Sequence, residues 1–151
     1  MKAKAIFACA NLEPQASILR AAGFPEMDNA NNYPELKNVQ TIVLSAKTSW
    51  ISSDVAANFV RGWMDVTNWM YDPNNKPEVL AITKKTMGGD DQGALNAYNL
   101  SIGTNGVAKD LRIDQKMMLQ YVDNLKKSGS TGVPADPMKY VDNSLVEKLL
   151  K

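Results

Sequence analysis

The stretch Ser45-Ala-Lys-Thr-Ser-Trp50 gathers three hydroxyls, one ammonium and one indole within six residues. Ser45, Thr48 and Ser49 could donate hydrogen bonds to a sulfonate or carboxylate, and Lys47 could supply the counter-charge. Trp50 could stack on an organic moiety. The alternative is an ordinary polar loop in which Trp50 covers the core. A second group, Asn11, Glu13 and Gln15, falls where a strand would hand over to a helix, and unpaired N–H groups and the helix dipole at such a junction favour anions. Asn11 both donates and accepts. Glu13 repels an anion and suits a cationic or hydroxylated ligand, or else it caps its own helix.

The rest of the chemistry is defined by what the chain lacks. It contains no histidine, which removes Ser-His-Asp and Cys-His catalysis, histidine metal sites and the usual proton shuttle near neutral pH. No pair of acids is placed for carboxylate-only catalysis, so no enzymatic activity and no catalytic residue is expected. Asp90-Asp91 and Asp110 lack the glycine and glutamate spacing of a calcium loop, so no metal site is expected. The small-residue stretch Gly103 to Gly106 lacks the Lys-Ser/Thr ending of a phosphate loop, and no cofactor is expected. The single cysteine, Cys9, lies in the apolar run Ala5 to Ala10 and reads as an inert buried thiol. Lys plus Arg number 17 against 16 for Asp plus Glu, without basic blocks, which leaves no electrostatic footprint for nucleic acid.

These groups need elements to hold them. Ala5 to Ala10 is short and apolar and reads as a buried strand. Pro14 and Gly23 bracket a helix as first-turn and C-terminal residues. Val39 to Ala46, β-branched and bounded by polar turns, is the best strand. From Ser53 to Tyr71 the apolar positions Val55, Phe59, Trp63, Val66 and Met70 recur at spacings of three or four, predicting a helix with that stripe on the core. Ser53 or Asp54 caps it and Asp72-Pro73 stops it. Further helices are expected from Pro77 or Glu78 to Met87, around Gln92 to Leu100, and through Ile113, Met117, Tyr121 and Leu125 to Ser128-Gly129. Ser144 and Glu147 form a capping-box pattern for a last short helix. Strand, helix, strand and a run of helices predict a helix-rich α/β fold. Two strands alone make a poor sheet.

Three stretches carry a resemblance. Ala5-Ile-Phe-Ala-Cys-Ala-Asn-Leu-Glu-Pro to Gly23-Phe24, Thr41-Ile-Val-Leu-Ser-Ala46 through Asp72-Pro-Asn-Asn-Lys-Pro-Glu78, and Asp136-Pro-Met-Lys-Tyr-Val-Asp-Asn-Ser144 come in the order of the family's segments. Together they resemble the C-terminal portion of ABC-transporter substrate-binding proteins of the nitrate/sulfonate/taurine and thiamine-precursor group. The resemblance implies a partial type 2 periplasmic-binding architecture. Residues 1–40 would end the second lobe as strand, helix and loop, and residues 41–151 would supply the return strand and helical part of the first lobe. It also implies a small, anionic organic solute as ligand, a membrane permease as partner, and a periplasmic or extracellular location.

On this reading the missing sheet comes from an absent N-terminal lobe or from a second copy of the chain. The N-terminal Met1-Lys-Ala-Lys4 and the short apolar run after it fall below the length of a signal peptide, so no export signal is expected within the chain. Two other classes stand beside solute uptake: a self-associating structural or interaction fragment, and a regulatory ligand-sensing domain with no transport role.

Overall fold

The computed structural model describes residues 8–36, 43–104 and 106–151. Among them the regular elements are all helical: α1 (Gln15–Ala21), α2 (Thr48–Ile51), α3 (Asp54–Tyr71), α4 (Lys76–Met87), α5 (Asp91–Tyr98), α6 (Gln115–Lys127) and α7 (Ser144–Leu149). A single π-type turn, Asn99–Gly103, continues α5.

This overturns the α/β expectation, and with it the partial periplasmic-binding architecture, because no strand forms among the described residues. Of the first expected strand, residues 5–7 lie outside the described residues and Ala8 to Ala10 are irregular and exposed. Of the second, residues 39–42 lie outside them, while Val43 to Ala46 are likewise irregular and exposed. β-branched composition expresses a fit to a pleated, half-buried surface rather than a backbone preference of its own. Without a ladder partner the N–H and C=O groups of such a segment stay with water. Cys9, expected in the core, is exposed for the same reason.

Helix boundaries follow local chemistry. At the end of α1, Gly23 adopts φ +83°, the Gly23 N–H bonds Arg20 O, and the Phe24 N–H bonds Leu19 O, a Schellman closure. Gly129 ends α6 in the same way, with Ser130 N on Leu125 O. Ser53 Oγ accepts from Ala56 N at 3.2 Å and caps α3, as its position predicts. The expected capping box at Ser144 does not form. Asn143 takes the N-cap position, and Ser144 is the first helical residue. The Asn143 side chain instead bridges Ile113, accepting from its N–H at 2.9 Å and donating to its C=O at 3.0 Å.

The chain divides into two compact units, each discontinuous in sequence and cutting across the 1–40/41–151 division. One joins residues 8–27 to 69–104 and 106–107; the other joins 28–36 and 43–68 to 108–151, so that α3 runs across the boundary. In the first unit α5 packs on both α4 and α1, around buried Val79, Ala94 and Ile102. Pro14 and Ser17 close the α1 side of this core, and Ser17 Oγ accepts from Asn96 Nδ2 at 3.1 Å. In the second unit Ala56, Val60, Thr67 and Val122 are buried. Within that unit α3 pairs closely with neither α6 nor α7 among the described residues.

The apolar stripe of α3 corrects the sequence expectation most sharply. Val55 is 66 % exposed, Val66 57 %, Phe59 46 % and Trp63 42 %. The buried face of the same helix carries the small Ala56, Val60 and Thr67. At 100° per residue the apolar sector of α3 spans roughly half the helix. The chain covers the side with Ala56, Val60 and Thr67 and leaves the rings of Phe59 and Trp63 out.

Candidate functional site

The exposed half of α3 is built outward from a short joint. Ser53 Oγ donates to Trp50 O at 2.6 Å while accepting from Ala56 N, which ties the end of α2 to the first turn of α3. That joint places Trp50 beside Phe59, with ring centroids 5.8 Å apart at 67°, an edge-to-face contact. Phe59 in turn meets Trp63 one turn on, at 5.9 Å and 45°. Three aromatic rings therefore form a continuous row, flanked by Val55 and Val66. An open hollow at the α2 end is lined by Lys47, Ser49, Trp50, Ser53 and Val55.

Lys47, Ser49 and Trp50 share this hollow. Ser45 and Thr48 are exposed and lie outside its lining. Asn11, Glu13 and Gln15 belong to the other unit. Asn11 Nδ2 donates to Cys9 Sγ at 2.8 Å, and Gln15 is exposed as the first residue of α1. The sequence reads Val55, Phe59, Trp63 and Val66 as an apolar stripe, with Trp63 in core or inter-lobe packing, and offers no reading of Gly62 at the edge of that stripe. The available signal was a glycine inside a helix-forming stretch, on the same face as two aromatics.

Glu13 is engaged within its own helix. Its carboxylate accepts from Ser17 N at 3.1 Å and Ser17 Oγ at 2.6 Å, and pairs with Arg20, which also holds Glu26 at 2.8 Å. This satisfies a first-turn N–H of α1, the capping alternative for Glu13. Burial works against the charge on Glu13, yet the hydrogen bonds from Ser17 and Arg20 outweigh it and hold the carboxyl below the ordinary glutamate range. A carboxyl with a lowered folded-state pKa stabilises the fold above its unfolded value, and that stability disappears as pH falls through the folded value. Wild type is therefore expected to lose stability on acidification below about pH 4.5. Glu13→Gln is expected to be about 1 kcal/mol less stable at neutral pH and to show a flatter acid limb. Urea midpoints measured between neutral and acid pH check this, and parallel acid limbs would refute it.

Among the described residues no three histidine, cysteine, aspartate or glutamate side chains cluster as a metal site would require. No helix there is long and apolar enough to cross a membrane. Comparison with protein-family models, curated proteins and solved structures finds no match to this chain.

Proposed function

We propose that the chain works as an association module, in which the aromatic face of α2 and α3 docks a second copy of the same chain. The observation that carries this reading is the exposed apolar face of α3, with the rings of Phe59 and Trp63 in solvent beside Val55 and Val66 while the helix buries Ala56, Val60 and Thr67. Full burial of a Val or Phe side chain is worth about 1.5–3 kcal/mol, so a face of four such residues and Trp50 leaves much stabilisation unused. Large side chains a third to two-thirds exposed present on the order of 100 Å² each, so the five offer roughly 500 Å². A stable interface needs about 800 Å² per partner, and a polar rim around an apolar centre supplies the remainder.

A formal net charge of +1 sets up little repulsion between copies. Closed two-fold dimers, in which one patch meets itself, are the commonest soluble assemblies. Solute uptake leaned on a cleft between two α/β lobes, and without strands among the described residues it loses that footing. The self-associating alternative retains its support.

Sedimentation equilibrium from low to high micromolar chain tests the reading. Wild type is expected to show a concentration-dependent dimer. The pair Phe59→Ser and Trp63→Ser is expected to raise the dissociation constant at least tenfold while helical circular dichroism is retained. A wild-type monomer across the whole range would sink the proposal.

A further inference from the structure

Gly62 sits in the middle of the longest helix, where glycine costs about 1 kcal/mol relative to alanine. Its φ is not in the left-handed region, so the backbone does not demand it. A Cβ built at Gly62 would meet nothing of this chain within 4 Å, so internal packing does not demand it either. The residue is exposed at the edge of the apolar face, with Phe59 and Val66 on one side of it and Asn58 and Asp65 on the other. Nothing within the chain requires a bare backbone at that point, which leaves it open to a partner.

Helical geometry indicates what it is. At 100° per residue, Val55, Phe59, Gly62, Trp63 and Val66 fall within an arc of about 100°, and none is charged. Asp54, Arg61 and Asp65 all lie to one side of that arc. The face is also close to palindromic about the point between positions 62 and 63. Reversing the helix there sets Trp63 opposite Gly62 and Phe59 opposite Val66.

Resting on the association reading above, we infer that two copies pack their α3 helices antiparallel, each Trp63 indole lying over the bare Gly62 backbone of its partner. The two-fold axis then passes between positions 62 and 63, and large and small residues alternate across the seam. A parallel pairing would oppose Trp63 to Trp63 and leave the two glycines facing each other over a void, which close packing disfavours. The vacancy over Gly62 becomes the socket for the largest side chain on the face. This gives Gly62 a specificity role: it sets both the closeness and the direction of the pairing.

The test uses the full chain with Cys9→Ser, spin-labelled singly through Asp54→Cys or Arg61→Cys, together with an unlabelled Gly62→Ala variant. In an antiparallel dimer, same-site labels are offset along the axis by roughly 25 Å at position 54 and about 5 Å at position 61. Pulsed dipolar spectroscopy should therefore return a clearly longer separation at 54. Gly62→Ala should weaken the dimer at least tenfold without lowering the melting temperature of the monomer, since alanine favours the helix. Equal separations at the two sites, or an unchanged dissociation constant for Gly62→Ala, would overturn the antiparallel socket while leaving self-association intact. A labelled chain that stays monomeric, with wild type also monomeric, overturns both.

Discussion

Gly106→Ala is expected to lower the unfolding free energy by about 3 kcal/mol. A Cβ at this position would stand 2.4 Å from the carbonyl oxygen of Leu100 and 3.4 Å from Ser101 Cα, both backbone atoms of the stretch around the π-type turn. A flexible side chain could swing away from such an approach, but a carbonyl inside a hydrogen-bonded turn has no equivalent freedom. Moving the segments apart would break the bond from Val107 N to Ser101 O, at 2.8 Å, and disturb the Tyr71 hydroxyl that donates to Val107 O. Overpacking typically costs 1–3 kcal/mol and a lost hydrogen bond about 1. Gly103→Ala is the control, because its Cβ would find its nearest neighbour at an ordinary 3.8 Å. Urea unfolding of both variants decides the matter. A midpoint for Gly106→Ala equal to that of Gly103→Ala would show that the approach is not tight.

Gly93→Val has the second large expected effect, a loss of about 2–3 kcal/mol. Gly93 is buried in the first turn of α5, where its N–H is held by the capping Asp90 at 2.8 Å. An added Cβ would touch Asp90 Oδ1, Pro14 Cβ and Ser17 Cβ, each at 3.3 Å. Alanine should come out near neutral, since a helix-propensity gain of up to about 1 kcal/mol offsets three contacts that are slightly too short. Valine adds two methyl groups and must push α1 away. That would stretch the Ser17–Asn96 hydrogen bond between α1 and α5. Thermal melts of the alanine and valine variants separate propensity from packing. Equal melting temperatures for the two would show that α1 and α5 do not meet closely at this point.

Both positions show why parts of this fold were legible and others were not. Gly23 and Gly129 were read as helix ends because the left-handed turn they enable is completed within six residues. Ser53 was read as a cap, and Asp72-Pro73 as a stop, on the same local grounds. Gly93 and Gly106 carried no such signal. What they accommodate is a carbonyl or a helix that sequence distance does not reveal. Asn143 illustrates the competition directly. Ser144 and Glu147 have the spacing of a capping box, but Asn143 takes the cap position while its amide is committed to Ile113, thirty residues away.

The candidate site divides along the same line. Phe59 and Trp63 were visible at helical spacing, whereas Trp50 reads as a loop residue that stacks on a ligand or covers the core; the structure places it in α2 and brings the three rings into contact. Lys47 and Ser49 border the hollow beside them. Which way the series faces was not visible. Helical periodicity records that apolar residues share a face, and it is silent on whether the cover comes from the same chain.

The sequence by itself determined the helix ends at Gly23, Ser53, Asp72-Pro73 and Gly129, since caps, glycine turns and proline stops act through hydrogen bonds among near neighbours, but it gave no sign of α2. It also determined that α3 carries an apolar face and that histidine chemistry is absent. Tertiary structure alone decided that Val43 to Ala46 stay irregular and that the aromatic face of α3 lies open to solvent. Strand pairing, burial and close approach depend on what another segment brings within van der Waals reach, and no local pattern of residue types encodes that.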